Sequence, residues 1–249
     1  MHHGLVLLVA LLQAATPQRP ITTARDLLAA MRARYDGKWY RNLTFVQNNS
    51  EYHPDSTVTH SVWREWLLAP GKLRIEFQPD SGSGMLFAAD SQFAFTKDSI
   101  SMARPFIHPL LVLGFDVYAQ PVERTLAVLT QRRFDLSVLS ETTWEGRPVW
   151  VVGAKAGDLH TRQFWVDKER LVFVRLLAPA GQDTSRTSDT RFNKYAPLAG
   201  GWVSPEVEFL VDGTRLFLEE YHDIQANVAM PDALWDRRQW KATRGGGKP

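Results

Sequence analysis

Cysteine is absent from the 249 residues. Its absence excludes disulfides, thiol catalysis, cysteine metal sites and a lipid-modified N-terminal cysteine. Paired metal ligands are missing as well. The seven histidines (His2, His3, His53, His60, His108, His160 and His222) never fall as His-x-His, His-x-x-x-His or His-Glu-x-x-His, so no metal site is expected. The chain has no Gly-x-Ser-x-Gly, no phosphate loop and no dinucleotide glycine fingerprint. Gly82-Ser83-Gly84 reads as a turn, and His108, set in an apolar stretch, as a structural histidine. No catalytic residue and no cofactor are expected, and the chain is not read as an enzyme.

Charge of one sign is also scarce. The formal net charge is +2. Arg237, Arg238, Lys241, Arg244 and Lys248 crowd the end of the chain without an acid, which leaves everything before them at about −3. That argues against a basic nucleic-acid groove. The segment 236–249, ending in Gly245-Gly246-Gly247, is expected to be a disordered basic tail, solvated or touching anionic headgroups.

Long apolar runs are missing too. Leu5–Leu12 is eight residues, too short to span a bilayer and of the length of a signal-peptide core. With Gln13-Ala14-Ala15 behind it, residues 1–15 are expected to be a cleaved signal peptide. The alternative is a short buried N-terminal segment.

What the chain has in quantity is alternation. Hydrophobic residues make up 44%, ample for a core. The stretch Thr57–Gln78 reads as two antiparallel strands about Pro70-Gly71, a turn in which proline presets φ and glycine supplies a positive one. Leu73, Ile75 and Phe77 alternate with Arg74, Glu76 and Gln78, an apolar row backed by a charged one. On the preceding strand Trp66 shares a face with Val58, Val62 and Arg64, while Trp63 and Leu67 take the other.

Upstream, Ala24, Leu27, Leu28, Met31 and Tyr35 have helical spacing, and Thr23 with Asp26 predicts a capping box. Lys38–Asn48 is expected to be the first strand and Asn49–Ser56 a polar turn. Pro105–Tyr118 is apolar but broken by Pro109 and Gly114, so it reads as a short helix with irregular flanks. Pro121–Arg132 reads as an amphipathic helix. Strands return from Leu136 to Tyr221, with Asp212-Gly213 a hairpin turn and Leu171–Leu177 central because it is apolar on both faces except at Arg175. Pro231–Trp235 is expected to make one helical turn. About ten or eleven strands result, in one domain over residues 22–235.

Acids fall mostly in turns. Glu206 and Glu208 share a strand face, read as solvated because Val207 and Phe209 own the inner one. Glu219 and Glu220 point to opposite faces. Phe106, Leu110, Leu111, Leu113 and Phe115 are either a core plug or a lid over a cavity. Both readings put them against Phe45, Ile75, Phe77 and Met85, and they differ in whether volume remains between the layers.

Several of these pieces, in order, resemble the LolA-like periplasmic lipoprotein carriers. They are the helix Thr23–Tyr35 running into Leu43-Thr44-Phe45-Val46-Gln47, the turn Ala69-Pro70-Gly71-Lys72-Leu73-Arg74, the hairpin Ala89-Asp90-Ser91-Gln92-Phe93-Ala94-Phe95, and Phe164-Trp165-Val166-Asp167. The resemblance implies a mainly β (α+β) fold, an unclosed antiparallel β-barrel with helices covering its open, concave side. It implies a soluble, monomeric, periplasmic protein that holds acyl chains of lipoproteins or lipids without covalent chemistry and touches membrane proteins or a membrane surface transiently. Ligand-lining candidates are Phe45, Trp66, Ile75, Phe77, Met85 and Phe209, the roof residues Phe106, Leu110, Leu111 and Phe115, and Val172 and Val174 on the central strand. Carriers of this family often place arginine before the turn proline to tether the lid. Here that residue is Ala69, and Arg64 and Arg74 are the candidates to replace it. Two readings of other classes stand beside the carrier: an envelope-stress sensor or protein-interaction domain of similar fold with no cargo, and a lipid hydrolase, for which the sequence offers no nucleophile–base motif.

Overall fold

The computed structural model describes residues 20–79, 81–181 and 183–246. The expected signal peptide, residues 1–15, lies outside them. Helix α1 (Ala24–Tyr35) starts where the capping box predicts. The Thr23 side chain accepts from the Asp26 backbone N–H, and the Asp26 carboxylate accepts from Thr23 in return. Its buried face is the predicted one: Ala24, Leu27, Leu28, Met31 and Tyr35.

Six strands follow as an antiparallel meander: β1 (Asn42–Tyr52), β2 (Val58–Leu68), β3 (Lys72–Gln78), β4 (Gly84–Ala88), β5 (Ser91–Thr96) and β6 (Ser99–Pro105). The middle segment gives α2 (Pro109–Gly114), a single 3-10 turn at Asp116–Tyr118, and α3 (Val122–Gln131). The second half runs through β7 (Leu139–Trp144), β8 (Arg147–Val152), β9 (Gln163–Asp167), β10 (Phe173–Ala180) and β11 (Asp183–Asn193). A small hairpin, β12 (Ala196–Leu198) with β13 (Gly201–Val203), leads to β14 (Glu206–Val211) and β15 (Thr214–Ala226).

Thirteen of these strands form one sheet, ordered β6-β5-β4-β3-β2-β1-β15-β14-β11-β10-β9-β8-β7. The sheet does not close, since β6 and β7 are its two edges, and the unclosed β-barrel with covering helices is the observed architecture. There are more strands than the ten or eleven expected. Pro205 interrupts what the alternation reads as one strand over Gly201–Val211, because a proline has no N–H for the ladder. Ser204 Oγ bridges the break, donating toward the carbonyls of Asn193 and Glu206 (2.7 and 2.8 Å). Strand β1 also runs on through Asn49–Tyr52, the expected polar turn. It is paired on both sides there, and its inward amides satisfy each other, with Gln47 Nε2 donating to Asn49 Oδ1 at 2.6 Å.

The main core fills the concave side, where Leu27, Leu28 and Met31 of α1 and Leu111 and Leu113 of the middle segment meet Leu43, Leu67 and the valines and phenylalanines of β8–β10. Strand β10 lies inside the sheet between β9 and β11, as its two-sided apolar pattern requires.

A second, smaller core sits on the convex side of β2–β5, and it overturns the expectation of a disordered tail from residue 236. Trp66, Leu86, Phe93 and Phe95 are covered there by Leu234, Trp235 and Trp240. The Trp240 ring stacks on Phe95 (centroids 4.0 Å apart, planes within 4°) and lies under the Arg74 guanidinium (4.0 Å). Its indole N–H donates to the Gly82 carbonyl at 3.1 Å. One buried tryptophan thus orders a stretch that its charge and glycines read as solvated. Two of its charges find partners within the fold: Arg238 pairs with Asp236, and Arg244 lies 3.5 Å from Asp98.

Candidate functional site

A cavity of about 520 Å³ remains between the sheet and the segment that roofs it, within the usual size of small-molecule sites. Its floor is the inner faces of β1–β6, β14 and β15, and its roof is Phe106, Leu110, Leu111 and Phe115. The roof is therefore not a plug packed flush on the sheet.

Polar contacts help to hold the roof in place. The Phe106 amide donates to the Asp90 carbonyl (2.9 Å). Arg132 donates from Nη2 to the Ile107 carbonyl. The Gly71 amide, in the β2–β3 turn at φ +78°, donates to Asp116 Oδ1 (2.9 Å). Burial pushes the Asp116 carboxyl up to about 7.

Of the candidate lining residues, the structure gathers Phe45, Ile75, Met85, Phe209, Phe106, Leu110, Leu111 and Phe115 around the cavity. Phe77 has the same parity as Ile75 but lies beyond the lining, its ring tilted against Trp63 with centroids 5.1 Å apart.

Trp66, Val172 and Val174 are corrections. Trp66 pairs with Arg74 and belongs to the convex core, so its neighbours Trp63, Glu65 and Leu67 face the cavity instead. Antiparallel pairing puts Glu65 directly beside Phe45, so an inward Phe45 forces Glu65 inward and Trp66 outward. Val172 and Val174 are buried in the main core and do not border the cavity.

The arginine tethers are also overturned. Arg64 is exposed on the outer face. Arg74 is fully buried, but on the convex side, where Nε bonds Glu76 (2.7 Å) and Nη2 donates to the Trp240 carbonyl (2.9 Å). The row of Arg74 and Glu76 read as a charged outer face is the buried anchor of the C-terminal segment. The tie between turn and roof runs through Gly71 and Asp116.

The polar lining escaped the sequence reading. Arg104 donates from Nε and Nη2 to Gln92 Oε1 (2.9 and 2.7 Å), and Arg104 and Arg132 both lie over the Phe106 ring (4.7 and 4.2 Å). His108 is not a satisfied structural histidine: Nδ1 is buried with no hydrogen-bond partner among the described residues, and its ring stands edge-on to Phe87 at 5.2 Å. Burial, helped by the nearby Arg132 charge, lowers its pKa to about 4, so the ring is neutral at neutral pH.

On the opposite wall Glu65 is 4% exposed and makes no side-chain hydrogen bond to another described residue, and burial with the Glu219 charge raises its pKa well above the ordinary value. Glu219 accepts from Tyr221 Oη at 2.6 Å. Burial still drives it up to about 7, against the pull of its bonds from Tyr221 and Gln47. By contrast Glu208, expected on a solvated face, is buried and held by Arg215 and by Asn193 Nδ2 (3.0 Å).

No helix among the described residues is long and apolar enough to cross a membrane. The sequence matches no family model and no curated protein. Solved structures do match. A Vibrio parahaemolyticus domain titled as an outer membrane lipoprotein-sorting protein aligns over 87% of this chain and 97% of its own, with TM-score 0.59 and 13% identity. A DUF1329 family protein from Desulfovibrio piger aligns over 88% and 98%, with TM-score 0.58 and 14% identity. A LolA superfamily protein from Nitrosomonas europaea aligns over 86% and 98%, with TM-score 0.52 and 10% identity. At such identities the likeness establishes the fold, and that fold is the LolA-like one.

Proposed function

We propose that this protein is a non-enzymatic carrier that holds acyl chains in the roofed cavity, works in the periplasm after export directed by residues 1–15, and passes its cargo on through brief contact with a membrane or membrane protein. The observation that carries the reading is the volume left between roof and sheet, lined by Phe45, Ile75, Met85, Phe87 and Phe209. Each methylene buried there is worth roughly 0.8 kcal/mol, so an acyl chain binds tightly with no bond formed. The roof is held by polar contacts and by the packing of Leu111 and Leu113 in the main core, and uptake and release follow how often it opens, because apparent affinity scales with the population of the competent state. The fold shared with a domain titled as lipoprotein-sorting supports the same reading.

Native mass spectrometry of the purified protein tests it. Expected are lipid-mass adducts that disappear on denaturation and are absent from Met85→Trp, whose indole fills the cavity. A wild-type chain that is always empty, and that no added lipid can load, would overturn the proposal.

A further inference from the structure

The acyl-chain reading accounts for the aromatic and aliphatic lining but not for two acids on one wall. Glu65 on β2 and Glu219 on β15 both line the cavity, and the strand between them, β1, presents Gln47. Glu65 is enclosed by Phe45 on one side and Ile75 on the other, its register partners on β1 and β3. It is 4% exposed, and neither carboxyl oxygen has a hydrogen-bond partner among the described residues. Its oxygens open onto the cavity rather than being sealed in the core, so they can accept from a bound ligand.

The donors around the pair are already committed. Tyr221 Oη donates to Glu219 Oε2 (2.6 Å). Gln47 Nε2 donates to Asn49 Oδ1 (2.6 Å) and its side chain also bonds Glu219, and Asn49 Nδ2 donates toward Ser61 Oγ (3.3 Å). What faces the cavity here is a set of oxygen acceptors with few donors to meet them. The cationic lining residue, Arg104, stands on β6, four strands from β2 in the sheet order, and is engaged with Gln92. From the roof the titratable group is His108, neutral beside Arg132; Asp116 is turned to the Gly71 amide. The facing residues of β3, β4 and β14 are apolar: Ile75, Met85, Val207 and Phe209.

Resting on the carrier reading, we propose that the cavity is selective for amphiphiles with an ammonium head, the head held between Glu65 and Glu219 and the apolar tail lying toward Phe45, Ile75 and Met85. A primary ammonium brings three donors and a positive charge to a wall that has acceptors to spare. A carboxylate or phosphate head would meet those acceptors with like charge. Seating the cation also favours ionisation of both carboxyls, so binding releases protons, and affinity rises with pH by up to about tenfold per unit for each proton released.

The test is displacement of a fluorescent apolar probe by decylammonium, decanol and decanoate, which share a tail, at about pH 6 and about pH 8.5. Expected is decylammonium at least about tenfold tighter than decanol at the higher pH, the advantage shrinking at the lower. Glu65→Gln/Glu219→Gln should remove the advantage, while decanol still displaces the probe, which reports an intact cavity. Decylammonium no tighter than decanol, decanoate tighter than both at the higher pH, or an advantage that survives the double substitution overturns the head assignment while the carrier reading stands. Failure of all three compounds and of the probe to bind overturns both.

Discussion

The Gly71 amide donates to Asp116 Oδ1 at 2.9 Å, which fastens the tip of the β2–β3 hairpin to the segment roofing the cavity. The hairpin and the roof are separated by 45 residues of chain, yet this bond makes them one mechanical unit. Asp116→Ala should release a bound fluorescent fatty probe about tenfold faster in stopped flow, with global stability lower by about 1–2 kcal/mol. Asp116→Asn, which keeps the accepting oxygen, should release the probe at close to the wild-type rate. Equal rates in wild type and Asp116→Ala would show that the hairpin does not restrain the roof.

Cavity volume sets capacity. Leu111→Ala on the roof should enlarge the space and lower stability by about 2–4 kcal/mol through the lost contacts. In the same variant, longer-chain ligands should gain affinity relative to shorter ones, read by competition among a homologous series of fatty alcohols. An unchanged chain-length preference would place the tail elsewhere.

The unligated protein should lose stability as pH rises through neutrality. Asp116 and Glu219 titrate at about 7 in the folded chain, against ordinary values of 3.8 and 4.5, and Glu65 is raised too. Between the unfolded and folded values the folded chain holds more protons, so the stability these groups contribute is complete below about pH 4 and is lost as pH rises through about 7. His108 has the opposite sign. Its folded pKa is about 4 against an ordinary 6.5, so it adds stability as pH rises across that window. The fall carried by Asp116 and Glu219 should therefore run up to about pH 7 and level off above it, leaving only what Glu65 contributes. Urea midpoints from about pH 5 to about pH 8.5 should show the decline. Glu65→Gln should flatten it and have the higher urea midpoint at the alkaline end. A wild-type profile that rises over that range contradicts the assignment of buried neutral carboxyls.

Arg74 separates structural from binding roles. Arg74→Ala leaves Glu76 buried without its 2.7 Å partner and should cost about 3–5 kcal/mol of stability in chemical denaturation. Ligand affinity measured below the unfolding transition should change by less than about twofold, because Arg74 lies on the convex face. Loss of affinity with stability retained would restore the arginine tether that the geometry denies.

The sequence showed periodicity well and register poorly. Helix α1 was legible to its cap because Thr23 and Asp26 act locally, and the inner row Leu73, Ile75 and Phe77 was legible because it alternates without interruption. Which row of β2 faces inward was not. Trp63 and Trp66 are equally large and of opposite parity, and only the pairing of Glu65 with Phe45 decides between them. The acidic wall was hidden for the same reason. Glu65 and Glu219 lie 154 positions apart and line one cavity only because β1 pairs with both β2 and β15. Trp240 was unreadable amid glycine and arginine, since its burial depends on Phe95 and Arg74 far upstream.

That pairing of β1 with β15 also fixes the order in which the molecule can be completed. The first strand made needs the last as its neighbour, and β3–β5 need Trp240 for their outer cover. Until β15 pairs with β1, the sheet consists of two separate meanders with open edges. Contacts so distant in the chain make folding slow and expose unpaired strands while it proceeds. The cavity, walled by β1–β6 together with β14 and β15, is therefore assembled only when that long-range pairing forms.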